Sequence, residues 1–132
     1  APELARVGVS EAEAQRQGLD HRVWRFSFAD VDRARTDVET AGFAKLITAA
    51  DGTILGAGIV GAHAGELIAE LTLAMAKGLR AKDLSGVIHT YPTLASIARR
   101  VADERMKASL TPTARRWLRR IFRLRGAPGP DA

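Results

Sequence analysis

The chain has 132 residues, a formal net charge of +5 and no cysteine, with 46% hydrophobic and 27% charged residues. That suffices for one domain with its own core and excludes disulfides, thiolate chemistry and cysteine-ligated metals within this chain. The charge is uneven: residues 1–98 carry 10 basic and 12 acidic side chains and residues 99–125 carry 10 and 2, so the high pI belongs to the C-terminal part.

Ala5–Val9 reads as a short strand, and Ser10 with Glu13 three residues on spells a capping box. A helix over about 11–17 follows, with Gly18 placed to end it. Val23–Phe28 is an aromatic-rich strand, and residues 29–40 read as a loop with one helical turn. Gly42–Thr48 and Thr53–Val60 are β-type runs, and the Asp51-Gly52 pair between them is a strong hairpin signal because its turn needs positive φ. Ala64–Lys77 is a helix with Leu67, Leu71, Ala74 and Met75 on one face and Gly78 at its end. Leu84–Thr90 is a further apolar run, read as strand and broken by Tyr91-Pro92. Thr93 is placed to cap a helix reaching about Asp103, and Thr111-Pro112 starts a last helix. Gly126–Pro130 reads as a disordered end.

The start, Ala1-Pro2-Glu3-Leu4, has neither a basic n-region nor an apolar h-region. Glu66, Glu70 and Lys77 interrupt the best apolar run before the roughly 18 residues of a membrane span. A cytoplasmic location is therefore expected. The missing initiator Met suggests a piece excised from something longer, and no metal site is expected.

Gly56, Gly58 and Gly61 spell G-x-G-x-x-G ahead of the helix from Ala64. A dinucleotide fingerprint needs a parallel strand feeding the glycine turn and an acid about 20 residues on. Here the strand before the glycines is the second arm of a hairpin, and the next apolar run ends in His89-Thr90 without a carboxylate. The glycines are therefore read as structural, with Gly61 and Gly65 letting the helix pack closely on the sheet. His63, just before that helix, is read as a capping or solvent-facing residue, and Glu66 as an anion favoured in the first helical turn.

Four blocks in order carry a family resemblance: "PELARVGVSEAEAQ" at 2–15, "GFAKLITAADGTILGAGIVGAHAGELI" at 42–68, "LSGVIHTYPTL" at 84–94 and "HTYPTLAS" at 89–96. Over about residues 2–103 the chain resembles the C-terminal dimerisation domain of the pyridine nucleotide–disulfide oxidoreductases, nearest to the mercuric-reductase-like branch. The resemblance implies an α+β fold: an antiparallel sheet of about four to five strands backed by helices. It implies a parent enzyme that is a homodimer using FAD and NAD(P)H. The FAD and NAD(P)H domains and the redox-active cysteine pair would lie in the parent chain, with no cofactor bound by this piece alone. The domain's work would be to hold two subunits together and to place a short segment against the flavin and disulfide of the other subunit. The division implied is a dimerisation domain at 1–104 and a tail at 105–132.

In many relatives that segment is His-Pro-Thr, followed three residues after the Thr by Glu, with the His as acid/base toward a cysteine thiol and the Glu orienting it. Tyr91 stands at the His position, Pro92 and Thr93 match, and Ser96 stands at the Glu position. Both members of the dyad are replaced, which puts simple glutathione- or lipoamide-type reduction in doubt. A phenol with a pKa near 10 can donate a hydrogen bond or a proton but is a poor base at neutral pH. Tyr91 and His89 are the catalytic candidates, and Tyr91, Pro92 and Thr93 the flavin-contacting ones. For His89 a surface or packing role is the plainer reading, because no carboxylate partner can be named from the sequence. The family pattern also implies a cis Tyr91-Pro92 bond, which an X-Pro bond adopts in only about one case in twenty. Leu94, Ile97 and Val101, at helical spacing, are candidates for the dimer interface together with strand residues near 84–90.

Residues 115–125 form a basic amphipathic pattern: Trp117, Leu118, Ile121, Phe122 and Leu124 on one face, Arg115, Arg116, Arg119, Arg120 and Arg123 on the other. Such a helix can dock on this protein or its dimer mate, or lie as a peripheral element on an anionic membrane surface. No specific nucleic acid is expected, since no nucleic-acid fold accompanies it. The alternative function is thus a stand-alone basic binding module acting on an anionic membrane or nucleic acid through this segment.

Overall fold

The computed structural model describes residues 2–109 and 112–122. The strands are β1 (Glu3–Gly8), β2 (Arg22–Ser27), β3 (Phe43–Thr48) and β4 (Ile54–Gly61). The helices are α1 (Glu11–Arg16), α2 (Asp32–Thr36), α3 (Ala64–Ala76), α4 (Ala81–Ser85), α5 (Ser96–Ser109) and α6 (Pro112–Phe122), with a 3₁₀ turn at Phe28–Asp30. The strands form one sheet in the order β1-β4-β3-β2, antiparallel throughout. This is the α+β architecture the sequence implied, with four strands among the described residues.

Each turn follows from local chemistry. Ser10 and Glu13 make the reciprocal capping box at the start of α1, with bonds of 3.1 and 3.2 Å. The β3–β4 hairpin closes through Ala49 N–H to Thr53 O at 2.9 Å and Gly52 N–H to Ala49 O at 3.0 Å, with Gly52 at φ +91. The Asp51 carboxylate accepts the Thr53 N–H at 2.9 Å, and that bond holds its pKa below the usual value. Its support for the turn is therefore complete above the ordinary carboxylate range and is lost as pH falls. Arg105 reaches back from α5 to the Ala50 carbonyl at 3.1 Å.

The core lies between one sheet face and the helices α3, α4 and α5. Ala44, Leu46, Ala57 and Ile59 of the sheet meet Leu71 and Ala74 of α3, Leu84 of α4 and Ile97 and Val101 of α5. The fully buried Thr48 hydroxyl accepts from Trp24 Nε1 at 3.0 Å, as burial of a hydroxyl requires. Lys45, on the alternate face of β3, pairs with Glu11 of α1 at 3.0 Å.

Several expectations need correction. Leu84 and Ser85 close α4 rather than open a strand, because the Asp83 carboxylate caps the Arg80 N–H at 2.8 Å and Leu84 is buried from the helix. Residues 86–95 then run without strand pairing. Thr93 does not cap α5: the helix starts at Ser96, and the Thr93 hydroxyl donates to the Thr90 carbonyl at 2.7 Å. His63 occupies the N-cap position of α3 at φ +60 with no side-chain cap bond and is exposed, so of its two expected roles the solvent-facing one holds. Glu3 of β1 supplies the cap instead, accepting the Gly65 N–H at 2.9 Å. Residues 29–40, by contrast, agree with the expectation of a loop with one helical turn: the five-residue α2 follows the 3₁₀ turn. The division drawn after residue 104 falls inside α5, whose buried residues end at Ala102. The helix at 112–122 is formed, whereas Thr111, Leu124 and Gly126–Pro130 lie outside the described residues, as do the side chains of Arg115, Leu118, Arg119, Ile121 and Phe122.

The glycine motif is structural, since all three glycines lie in β4, antiparallel to both neighbours. A Cβ on Gly56 would collide with the Val9 carbonyl, whereas one on Gly58 would meet only Arg6 Cγ at 3.7 Å. Gly61 sits at φ +148 with the Phe28 ring against it. Gly56→Ala should therefore cost about 1–3 kcal/mol of stability by overpacking, and Gly58→Ala should stay within about 0.5 kcal/mol of the wild type. Denaturant titration of the two variants checks this.

Candidate functional site

The candidate segment, residues 86–95, has no strand or helix of its own and takes its shape from side-chain anchors. The Tyr91-Pro92 bond is cis, as the family pattern implied. Thr93 Oγ1 ties the turn to the Thr90 carbonyl, and Ser96 Oγ donates to the Thr93 carbonyl at 2.8 Å. Thr90, Tyr91 and Pro92 are exposed.

His89 carries the first anchor to the rest of the fold. Its Nε2 lies 2.5 Å from Glu70 Oε1 of α3 and its Nδ1 lies 3.0 Å from the Val87 carbonyl. The His89 side chain is 9% exposed and that of Glu70 34%. Each ring nitrogen thus faces an oxygen on a different part of the fold, and the tautomer decides which nitrogen donates. The sequence reading named no carboxylate for His89, because Glu70 stands 19 positions away on another element. The structure supplies one and makes His89 the pin of the segment.

Tyr91 carries the second anchor. Its hydroxyl donates to Asp32 Oδ2 at 2.6 Å, although the ring is 72% exposed. That hydrogen bond, with the carboxylate's charge, raises the phenol pKa above its usual 10. The contact thus holds throughout the pH range below ordinary tyrosine ionisation and is lost as pH rises through the raised value. Asp32 opens α2, a helix of five residues held down by buried Val31 and Ala34. Arg35 Nε donates to the Ala29 carbonyl at 2.6 Å and Arg33 pairs with Asp37 at 2.8 Å. Asp32 was missed from the sequence because it lies 59 residues from Tyr91 in a segment without period.

Between these anchors lies an open cleft of about 300 Å³, whose walls include Asp30, Asp32, His89, Tyr91, Arg99 and Arg100. Arg100 is partly spent over the Phe26 ring, 5.0 Å from its centroid, and Arg99 lies 3.9 Å from Asp103. Among the described residues no cluster of three or more His, Cys, Asp or Glu could hold a metal ion.

Of the interface candidates, Ile97 and Val101 are fully buried in this chain's own core and Leu94 packs against it. The expectation for Ile97 and Val101 is corrected: the helical spacing that marked them as an apolar face is the spacing that turns them toward the sheet. Among the described residues, exposed apolar side chains include Val87 at 52% and Ile88 at 92% in the segment and, one turn beyond Glu70 on α3, Leu73 at 60%.

Residues 1–102 match the family model described as the pyridine nucleotide-disulphide oxidoreductase dimerisation domain. The dihydrolipoyl dehydrogenase of Bacillus subtilis (strain 168) is 47% identical over 103 residues, covering 77% of this chain and 22% of that protein. The mitochondrial dihydrolipoyl dehydrogenase of Dictyostelium discoideum is 40% identical over 102 residues, covering 76% and 21%. Among solved structures, the HOCl-induced flavoprotein disulfide reductase RclA from Escherichia coli superposes with a TM-score of 0.72 at 27% identity, over 78% of this chain and 26% of that one. LpdA from Mycobacterium tuberculosis shares the fold, with a TM-score of 0.73 at 24% identity over 77% and 22%. The chain spans about a fifth of the length of the curated relatives it matches. These relatives are not mercuric reductases, and the narrower branch expected from the sequence draws no support from them. Among the described residues no helix is long and apolar enough to cross a membrane.

The anchoring by His89 is directly testable. Glu70→Gln or His89→Ala should loosen residues 86–93, speeding their amide exchange roughly 10-fold or more, the equivalent of about 1.5 kcal/mol for a hydrogen bond to a charged group. Exchange in β3 and β4 should be unchanged, as hydrogen–deuterium exchange with mass spectrometry would show.

Proposed function

Because the chain belongs to the dimerisation-domain family of the pyridine nucleotide–disulfide oxidoreductases, we propose that it joins two subunits of an FAD- and NAD(P)H-dependent oxidoreductase. In this reading it offers the Tyr91-Pro92-Thr93 turn to the partner subunit's flavin and disulfide. The observation that carries the reading is the turn itself: exposed at Tyr91 and Pro92, and held from two sides by Glu70 through His89 and by Asp32 through Tyr91. A segment anchored so firmly yet left open to solvent is built to be covered by another surface.

The turn fits contact with a flavin. It projects a ring and backbone beyond the fold, and its own hydroxyls at Thr93 and Ser96 are already used to brace it. When bound, FAD would supply the electron transfer. With no cysteine in this chain, thiol chemistry would fall to the rest of the parent subunit. Tyr91 and Ser96 replace the His–Glu pair, so this chain provides a phenol where many relatives provide an imidazole. The acceptor reduced by the parent is a disulfide, a metal ion or another oxidant. A cytoplasmic setting fits a parent of this kind.

The exposed apolar side chains of Val87 and Ile88, in the segment itself, and of Leu73, three positions after Glu70 on α3, are the proposed subunit contact, since homodimer interfaces are more apolar than ordinary surface. Ile88→Asp in the gene product that carries the flavin and nucleotide domains should weaken the dimer by about 2 kcal/mol or more, roughly 30-fold in dissociation constant. Light scattering across a concentration series reads this, and oxidoreductase turnover should fall with the dimer fraction. A flavin-free monomeric gene product, or a dimer unaffected by Ile88→Asp and Leu73→Asp together, would overturn the reading.

A further inference from the structure

Tyr91 has one hydroxyl proton, and the structure commits it to Asp32 Oδ2. Toward any further group the phenol oxygen is then left to accept, not to donate. An anionic carboxylate pulling on the phenol proton makes the same oxygen a better acceptor, because linked hydrogen bonds polarise one another. From this geometry we propose that Asp32 is a positioning residue that fixes Tyr91 as a hydrogen-bond acceptor, aimed at an N–H or S–H donor on the partner subunit. The inference rests on the reading of the turn given above and deepens it by naming the chemistry of the group the turn meets.

A free phenol can donate or accept, whereas here only acceptance is left. The restriction is supplied from a different part of the fold than the family pattern suggests. The hydroxyl of Ser96, at the position of the orienting Glu, is turned to the Thr93 carbonyl. The orienting carboxylate comes instead from α2, after β2. The charged and titratable groups around the phenol are Asp30 and Asp32 from the α2 side, His89 from its own segment, and Arg99, Arg100 and Asp103 from α5. Asp32 is the one that bonds to the phenol oxygen, and its charge and hydrogen bond both favour the protonated phenol.

Tyr91 is the sole tyrosine of the chain, so its ionisation can be followed alone through phenolate absorbance, with circular dichroism marking any alkaline unfolding. The wild-type chain should ionise above the free amino acid. Asp32→Asn, which keeps an acceptor oxygen but removes the charge, and Asp32→Ala should both lower the midpoint toward it. An unchanged midpoint in both variants overturns the assignment of Asp32. In the flavin-bound gene product, Tyr91→Phe and Asp32→Ala should each lower turnover roughly 10-fold, the scale of one hydrogen bond to a charged group. The double variant should lose no more than either single one. A change in the oxidised flavin's absorbance on Tyr91→Phe identifies a flavin N–H as the donor, whereas a change confined to the pH profile of turnover identifies a thiol. If Tyr91→Phe lowers turnover and Asp32→Ala does not, the role of Asp32 is overturned while the reading of the turn stands. If Tyr91→Phe has no effect on turnover, the reading of the turn falls, and with it this inference.

Discussion

The segment at residues 86–95 has no ladder of its own, and its conformation depends on two hydrogen bonds to carboxylates on separate helices. His89 reaches Glu70 on α3 and Tyr91 reaches Asp32 on α2. Backbone groups in an unpaired segment are otherwise satisfied by water, and such segments sample many conformations at a cost of about 1–2 kcal/mol per residue when ordered. Charge-assisted bonds to rigid elements offset part of that cost. They do so without covering the segment, so its outer side stays free for a second surface.

The sheet makes those anchor points rigid. Glu3, at the start of β1, caps α3 from across the fold and fixes the helix that bears Glu70. Gly56 lets β4 lie against the chain at Val9, and Gly61 gives the Phe28 ring its place beside the strand end. Phe28 in turn begins the 3₁₀ turn that leads into α2 and Asp32. The glycines that imitate a nucleotide-binding loop thus serve the opposite end of the problem. They close the packing on which the exposed turn stands.

The replacement of the imidazole by a phenol changes what the turn can do at neutral pH. An imidazole with a pKa near 6.5 exchanges protons there, whereas a phenol near 10 does not. The hydrogen bond to Asp32 and the carboxylate's charge raise the Tyr91 pKa further, which suits the proposed role of a hydrogen-bonding group better than that of a proton shuttle. His89, the histidine left nearby, is turned inward and occupied at both nitrogens. In the proposed function Tyr91 is the residue presented, and His89 is the one that pins the segment.

Much of this was legible in the residues. The capping box at Ser10, the Asp51-Gly52 hairpin and the apolar face of α3 are local signals, set by contacts within a few positions, and the structure reproduces them. The resemblance carried the family and the cis turn. What failed was long-range. The 84–90 run looked like a strand because periodicity cannot tell a short apolar helix end from a strand, and Ile97 and Val101 looked like an interface because an apolar face does not name its partner. Glu70 and Asp32 sit 19 and 59 positions from the residues they hold, a distance at which only the packing of helices on the sheet decides who meets whom. The sequence by itself determined the elements, the family and the turn, since these depend on neighbours along the chain. Tertiary structure alone decided which carboxylates anchor that turn and which apolar side chains remain outside, since both depend on how the helices settle over one sheet face.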